Sequence, residues 1–263
     1  MTPPISPPLV FPRCIPSELF GSIGLSAQEL TKVQHLLMVP RKVKKGAALF
    51  REGQPFKELF AVRSGSFKTS LRSADGRTQV IGLQLPGDFL GIQGIAEQRH
   101  PCEALALEDS EVCAMAFEQI EVLARELPPL QRLFHTLMSG ELLRESRAIV
   151  SLGNAGAEAR VACFLLTQLE RLKARGFSGF EMVLRLSRED ISSYLGLKVE
   201  TVSRVFSKLV DKGLIKVDNR HVQVLTHDVL AELAHLRSPN TPQEMKPRRA
   251  TRAASGPKRI NLE

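Results

Sequence analysis

The chain has 263 residues, enough for one large domain or two modest ones. A formal charge of +8 and a pI of about 9.6 favour a polyanionic partner. With no tryptophan and a single tyrosine, Tyr194, there is no set of rings on which single-stranded nucleic acid could stack. No apolar run is long enough to span a bilayer, and the opening MTPPISPPLVFPRC lacks the basic-then-apolar order of a secretory signal. The expected location is the cytoplasm, where the four cysteines are reduced.

In chain order, residues 1–24 are expected to form a flexible proline-rich arm. The stretch LSAQELTKVQHLL, Leu25 to Leu37, has the pattern of a short helix capped by Ser26. From Val39 to about Met115 short apolar runs recur between glycines. Phe60-Ala61-Val62, Phe67-Lys68-Thr69 and Gln79-Val80-Ile81 are strand-like, and Asp75-Gly76 suits a hairpin turn. This texture predicts a small β-barrel or jelly roll over 25–128.

A long helix follows, starting near Phe117 or after Pro129. Leu130, Leu133, Phe134, Leu137, Met138, Leu142 and Ile149 carry an apolar seam through about Leu152. That length suits a dimerisation helix over 129–153, and part of the seam can also lie on the barrel. Glu141 and Glu145, one turn apart beside the seam, would repel their mates across a dimer. After a break at Gly153-Asn154-Ala155-Gly156, a helix runs through Ala174, and Gly176 and Gly179 lead onward. From Ser238 the tail has six Lys/Arg against two acidic residues and no apolar period, so 238–263 reads as a basic, disordered segment.

The most informative stretch is LSREDISSYLGLKVETVSRVFSKL, Leu186 to Leu209. Ser187 and Asp190 have the spacing of a capping box, Ile191 and Leu195 face one way, and Gly196 supplies a turn. In the second helix Val202, Val205, Phe206 and Leu209 fall at i, i+3, i+4 and i+7, which turns Glu200, Ser203, Arg204, Ser207 and Lys208 to the opposite side. Leu214 to Val217 and Val222 to Leu225 then alternate around Asp218-Asn219-Arg220 as a hairpin does. Helix, turn, helix and hairpin make a winged helix-turn-helix over 154–237, so the fold class is α+β.

A barrel, a long helix and a C-terminal winged helix in this order resemble the bacterial Crp/Fnr family of transcription regulators, nearest its Fnr/Anr branch. The resemblance runs from roughly Cys14 to Leu233. It is carried by Leu49-Phe50, Ala61-Val62-Arg63-Ser64-Gly65, Leu137-Met138-Ser139-Gly140-Glu141, Ala174-Arg175-Gly176-Phe177-Ser178, and above all Tyr194-Leu195-Gly196-Leu197 with Val199-Glu200-Thr201-Val202-Ser203-Arg204. It implies a homodimer on double-stranded DNA, with Glu200, Ser203 and Arg204 at base edges. Arginine can grip guanine O6 and N7, glutamate can accept from a base amino group, and serine can approach thymine. Cyclic-AMP-type members carry an arginine before the glutamate and a glycine where Ser203 stands. Val199 and Ser203 in this chain therefore point to a TTGAT inverted repeat rather than TGTGA. Lys198, Thr201 and Lys208 are the expected phosphate contacts. RNA polymerase is the further partner implied, through barrel loops such as 73–78 and 84–88.

For sensing, the family's barrel often holds a cyclic nucleotide, through a glycine-glutamate pair and an arginine-serine pair. This chain has Gly91-Ile92-Gln93 and Pro101-Cys102-Glu103 there, with Arg99 nearby but not at the matching position, so cyclic AMP is not expected. The Fnr branch ligates a [4Fe–4S] cluster with four cysteines. Cys14 and Cys113 match two of them and the other two are missing, with Cys102 a conceivable third ligand. A Cys14–Cys113 dithiol switch and packed, inert thiols are the competing readings, and Cys163 reads as core. The six histidines have no ligand spacing, and no nucleophile–base pair or phosphate loop suggests an enzyme. The other functions weighed are a barrel that responds to an unidentified small molecule and an architectural protein coating DNA. The latter leaves Glu200 without a role.

Overall fold

The computed structural model describes residues 24–37, 39–73, 76–154 and 156–234. The proline-rich arm, Cys14, Asp75 and the basic tail lie outside the described residues. Helix α1 (Ala27–Leu37) starts where expected: the Ser26 amide donates to Glu29 Oε2 at 2.8 Å and the Glu29 amide to Ser26 Oγ at 3.3 Å, a reciprocal cap.

Eight strands follow: β1 (Val39–Val43), β2 (Ala48–Phe50), β3 (Glu58–Ser64), β4 (Phe67–Arg72), β5 (Thr78–Gln84), β6 (Phe89–Leu90), β7 (Glu103–Ala106) and β8 (Ser110–Ala116). A one-turn helix, α2 (Gly94–Glu97), lies between β6 and β7. The strands form two four-stranded sheets in the orders β1-β8-β3-β6 and β2-β7-β4-β5, with antiparallel pairs. Two such sheets enclosing one apolar layer make the jelly roll that the glycine-punctuated runs predicted.

The first sheet is buried on both faces. Because strand side chains alternate, Phe60, Val62, Val112 and Ala114 join Phe50, Phe67 and Ala104 between the sheets. Their neighbours Leu59, Ala61, Cys113 and Met115 pack outward against Val33 of α1, against Ile120 and Leu123 of α3 (Phe117–Glu126), and against Leu130 and Leu133 of α4 (Pro128–Asn154). The long helix thus takes one of the arrangements foreseen for it, lying on the barrel. Its first turns lie on the barrel, while Leu142, Leu143 and Ile149 further along are exposed. Both suggested starts also occur, as two helices. Pro128-Pro129 separates them, since proline disfavours helical geometry in the residue before it and donates no N–H.

The C-terminal unit consists of α5 (Ala157–Lys173), β9 (Glu181–Val183), α6 (Arg188–Leu195), α7 (Val199–Asp211), β10 (Ile215–Asp218), β11 (His221–Val224) and α8 (His227–Leu233). The anticipated hairpin is present, with Asn219 at φ +53° in its two-residue turn. Strand β9 was not anticipated; it pairs with β11 to make a three-stranded sheet, and only the short alternation Glu181-Met182-Val183-Leu184 announces it. No helix among the described residues is long and apolar enough to cross a membrane.

Gly65, between β3 and β4, has φ +80°, and a Cβ there would collide with the Ser110 side chain and come within 2.8 Å of Ser110 Cα. Gly65→Ala is expected to lower unfolding free energy by about 1–3 kcal/mol in chemical denaturation.

Candidate nucleic-acid interface

Helix α6 begins with the reciprocal cap that the sequence promised: Asp190 N donates to Ser187 Oγ at 3.0 Å and Ser187 N to Asp190 Oδ2 at 3.1 Å. Gly196 ends the helix at φ +61°, ψ +40°, a left-handed position that glycine occupies without strain. Arg160 Nη1 donates to the Leu195 carbonyl at 3.1 Å, so α5 holds the turn. The Arg188 guanidinium sits 3.5 Å from the centre of the Phe206 ring, tying the start of α6 to the underside of α7.

Val202, Val205, Phe206 and Leu209 of α7 are buried with Ile191, Leu195, Leu165 and Leu169. Glu200, Ser203 and Arg204 are consequently exposed together on the other face. Lys198 occupies the N-cap position and its side chain does not cap the helix, so the first amides of α7 receive no bond from it. Thr201 is half-buried beside it. Lys208, expected at a phosphate, bonds to Glu158 of α5, and Lys212 reaches the same carboxylate at 3.4 Å. That pairing fixes α7 on α5.

The sequence of residues 40–126 matches the model of the cyclic nucleotide-binding domain, and residues 159–233 match that of the Crp-like helix-turn-helix domain. The transcriptional regulatory protein btr of Bordetella pertussis is 38% identical over 220 residues, covering 84% of this chain and 91% of that protein. The transcriptional activator anr of Pseudomonas aeruginosa is 37% identical over 223 residues (85% and 89%), and the fumarate and nitrate reduction regulatory protein of Escherichia coli 35% over 221 (84% and 88%). The chain belongs to the Crp/Fnr family. Among solved structures, FixK2 from Bradyrhizobium japonicum superposes with a TM-score of 0.70 at 29% identity, over 75% of this chain and 98% of that one. This Crp/Fnr protein is a DNA-binding transcription regulator related to Fnr and Anr, and its relatives are regulators, not enzymes.

The cofactors associated with the family find little to hold them. At Gly91, in the stretch the family resemblance matches to the cyclic-phosphate loop, a Cβ would lie 3.2 Å from the Glu58 carbonyl oxygen and 3.4 Å from His100 Cε1. The His100 ring packs beside Gly91, stacked on Phe50 at 3.9 Å and 11° and edge-on to Phe56. Arg99 donates to the Gly53 carbonyl and Arg51 to Glu103, so both of these guanidiniums are already engaged. An open cleft of about 380 Å³ lies at one end of the second sheet, lined by Arg51, Glu52, Ser70, Arg72, Thr78 and Glu103, its charges balanced.

The thiols do not assemble an iron–sulfur ligand set among the described residues. Cys113 faces the helices outside the first sheet, whereas Cys102 lies between the two sheets, so the sheet itself separates them. Burial and the nearby Glu52 charge push the Cys102 thiol up to about 11. Burial likewise raises Cys113, with Arg63 opposing and Glu111 adding to the shift. Protonated, buried sulfurs are poor ligands and poor nucleophiles. Cys163 is half-buried and packs against the C-terminal core.

Sequence reasoning missed a cluster where the barrel meets the DNA-binding unit. The loop 84–88, expected to be exposed, is largely buried. Asp88, only 6% exposed, accepts from Arg171 Nη2 at 2.5 Å, Arg175 Nη2 at 2.6 Å, Arg144 Nη1 at 3.2 Å and the Leu85 amide at 2.7 Å. Burial alone would raise this carboxyl, but the three guanidiniums and the amide outweigh it and hold it below the usual carboxylate range. The only hint in the sequence was Arg175 within the family-like Ala174–Ser178 fragment, four residues after Arg171.

Burial lowers the affinity of His100 for a proton, and its Nδ1 has no hydrogen-bond partner among the described residues. The unfolded chain therefore takes up a proton below about pH 6.5 that the folded barrel resists, so stability is lost as pH falls from that value. The melting temperature should drop between pH 7 and pH 5, and His100→Phe should drop less over the same interval.

Proposed function

We propose that this regulator acts as a homodimer on inverted repeats of TTGAT-type half-sites, controls oxygen- or redox-dependent genes in the cytoplasm, and contacts RNA polymerase. The observation that carries the DNA reading is the joint exposure of Glu200, Ser203 and Arg204 near the start of α7. Arg204 grips a guanine edge, Glu200 accepts from a base amino group and Ser203 approaches a thymine methyl. Lys198, Thr201 and the first amides of α7 take the flanking phosphates, with Lys208 in a lesser part because Glu158 already holds it.

Dimerisation is supported by Leu142 and Ile149, seven residues apart on α4 and 65% and 69% exposed, with Leu143 beside them. A second copy of the same helix would cover that face. Glu141 is bonded to Arg144 of its own helix, which reduces the repulsion foreseen between the dimer's carboxylates. Two half-sites then lie about one helical turn apart, roughly 34 Å.

The redox reading takes support from the names of the relatives, among them an anaerobic regulatory protein of Pasteurella multocida. Cys14 and Cys113 are the residues through which such a signal would act, and Cys113, buried like Cys102, would have to be uncovered before it reacted. The open cleft at Arg51 and Arg72 is where a small-molecule signal would enter under the alternative reading.

Fluorescence anisotropy at fixed salt, comparing a TTGAT inverted repeat with scrambled DNA, tests the proposal. The repeat should bind at least about a hundredfold more tightly. Arg204→Ala should cost about 1–3 kcal/mol per base contact and flatten preference at the guanine alone. Equal binding of both duplexes would refute base reading by α7.

A further inference from the structure

We propose that Asp88 is a positioning residue for operator recognition: by clasping Arg144, Arg171 and Arg175 it sets the distance and angle at which the two recognition helices of a dimer are presented. The inference rests on the dimeric, operator-binding reading above.

The geometry of the clasp carries it. Asp88 sits in the loop joining β5 to β6 of the barrel, Arg144 belongs to the long helix α4, and Arg171 and Arg175 belong to α5 and the residues just past its end. One carboxylate therefore joins the three parts of the molecule whose relative placement decides where α7 points. Both oxygens carry two bonds each, one from Arg144 and Arg175, the other from Arg171 and the Leu85 amide. The same arginines also grip barrel carbonyls, Arg175 Nε that of Pro86 at 2.6 Å and Arg171 Nη2 that of Leu83 at 2.8 Å. Planar guanidiniums bonded at several points fix direction as well as distance.

The orientation is passed on to α7. Helix α5 holds α7 through Glu158 with Lys208 and Lys212, and holds the α6–α7 turn through Arg160. A second contact braces α6 against the barrel: Lys68 pairs with Asp190, the Val80 amide donates to Ser193 Oγ at 2.8 Å, and Gln79 donates to the Ser193 carbonyl. With the clasp closed, Glu200, Ser203 and Arg204 remain open to solvent, so the clasped arrangement leaves the reading face free. Without the aspartate, three guanidiniums would face one another in a mostly buried spot, and their repulsion would loosen α5 from the barrel.

Simultaneous engagement of two half-sites depends on the geometry of the link between the two reading heads, and a looser link spreads their effective concentration over many spacings. The test uses the full-length protein and TTGAT inverted repeats whose central spacer is varied by one and two base pairs, with a single half-site duplex as reference. Asp88→Asn is the direct variant. Arg144→Gln, at a side chain 42% exposed, is the gentler one should the first not fold. The wild type should favour one spacer by about tenfold or more over its neighbours at two base pairs, and both variants should compress that preference to about threefold or less with half-site binding unchanged. Folded variants that keep the wild-type spacer profile would overturn the role of Asp88 alone. A wild type indifferent to TTGAT would instead overturn the operator reading on which it rests, and this inference with it.

Discussion

The angular division of α7 is the constraint on which the function depends. Four large apolar side chains, Val202, Val205, Phe206 and Leu209, are buried on one side of thirteen residues. Each contributes about 1.5–3 kcal/mol on burial, roughly 6–12 kcal/mol together, against about 1 kcal/mol for a helix cap. The helix cannot turn about its axis without exposing them. The face that carries Glu200, Ser203 and Arg204 is thus held outward by what lies beneath it, and the Arg188–Phe206 contact and the Glu158 ion pairs fix the helix against its neighbours.

A different constraint shapes the barrel. Its first sheet is covered on both sides, by the second sheet and by α1, α3 and the start of α4. Successive residues of β3 and β8 therefore enter two separate apolar layers, so Cys113 on β8 is out of water, as Cys102 is between the sheets. This decides the chemistry of the thiols more than their spacing in the chain does. It also places the sheet nearest the long helix in direct contact with Leu130 and Leu133, so a disturbance of that layer reaches the helix proposed to pair in the dimer.

Where the two units meet, the contact is made of charge and hydrogen bonds around Asp88, Asp190 and Ser193 more than of apolar surface, although Leu83 and Leu107 of the barrel touch the C-terminal core. Such contacts are directional. They specify one relative orientation, whereas a greasy interface would tolerate sliding.

Local signals in the sequence determined the winged helix-turn-helix, because the capping residues, Gly196, the 3.6-residue apolar period and the turn at Asn219 each act within a few positions of one another. Alternating runs and glycines determined the barrel, and the apolar seam determined the long helix, for the same reason. Only the tertiary structure decided that β9 joins the wing, that Cys102 and Cys113 stand on opposite sides of a sheet, that His100 packs beside Gly91, and that Asp88 gathers arginines 56, 83 and 87 positions away. Those facts depend on which strand lies beside which and on which face of a helix meets the barrel. A linear pattern of residue types carries no record of partners so far apart until the chain has folded and brought them together.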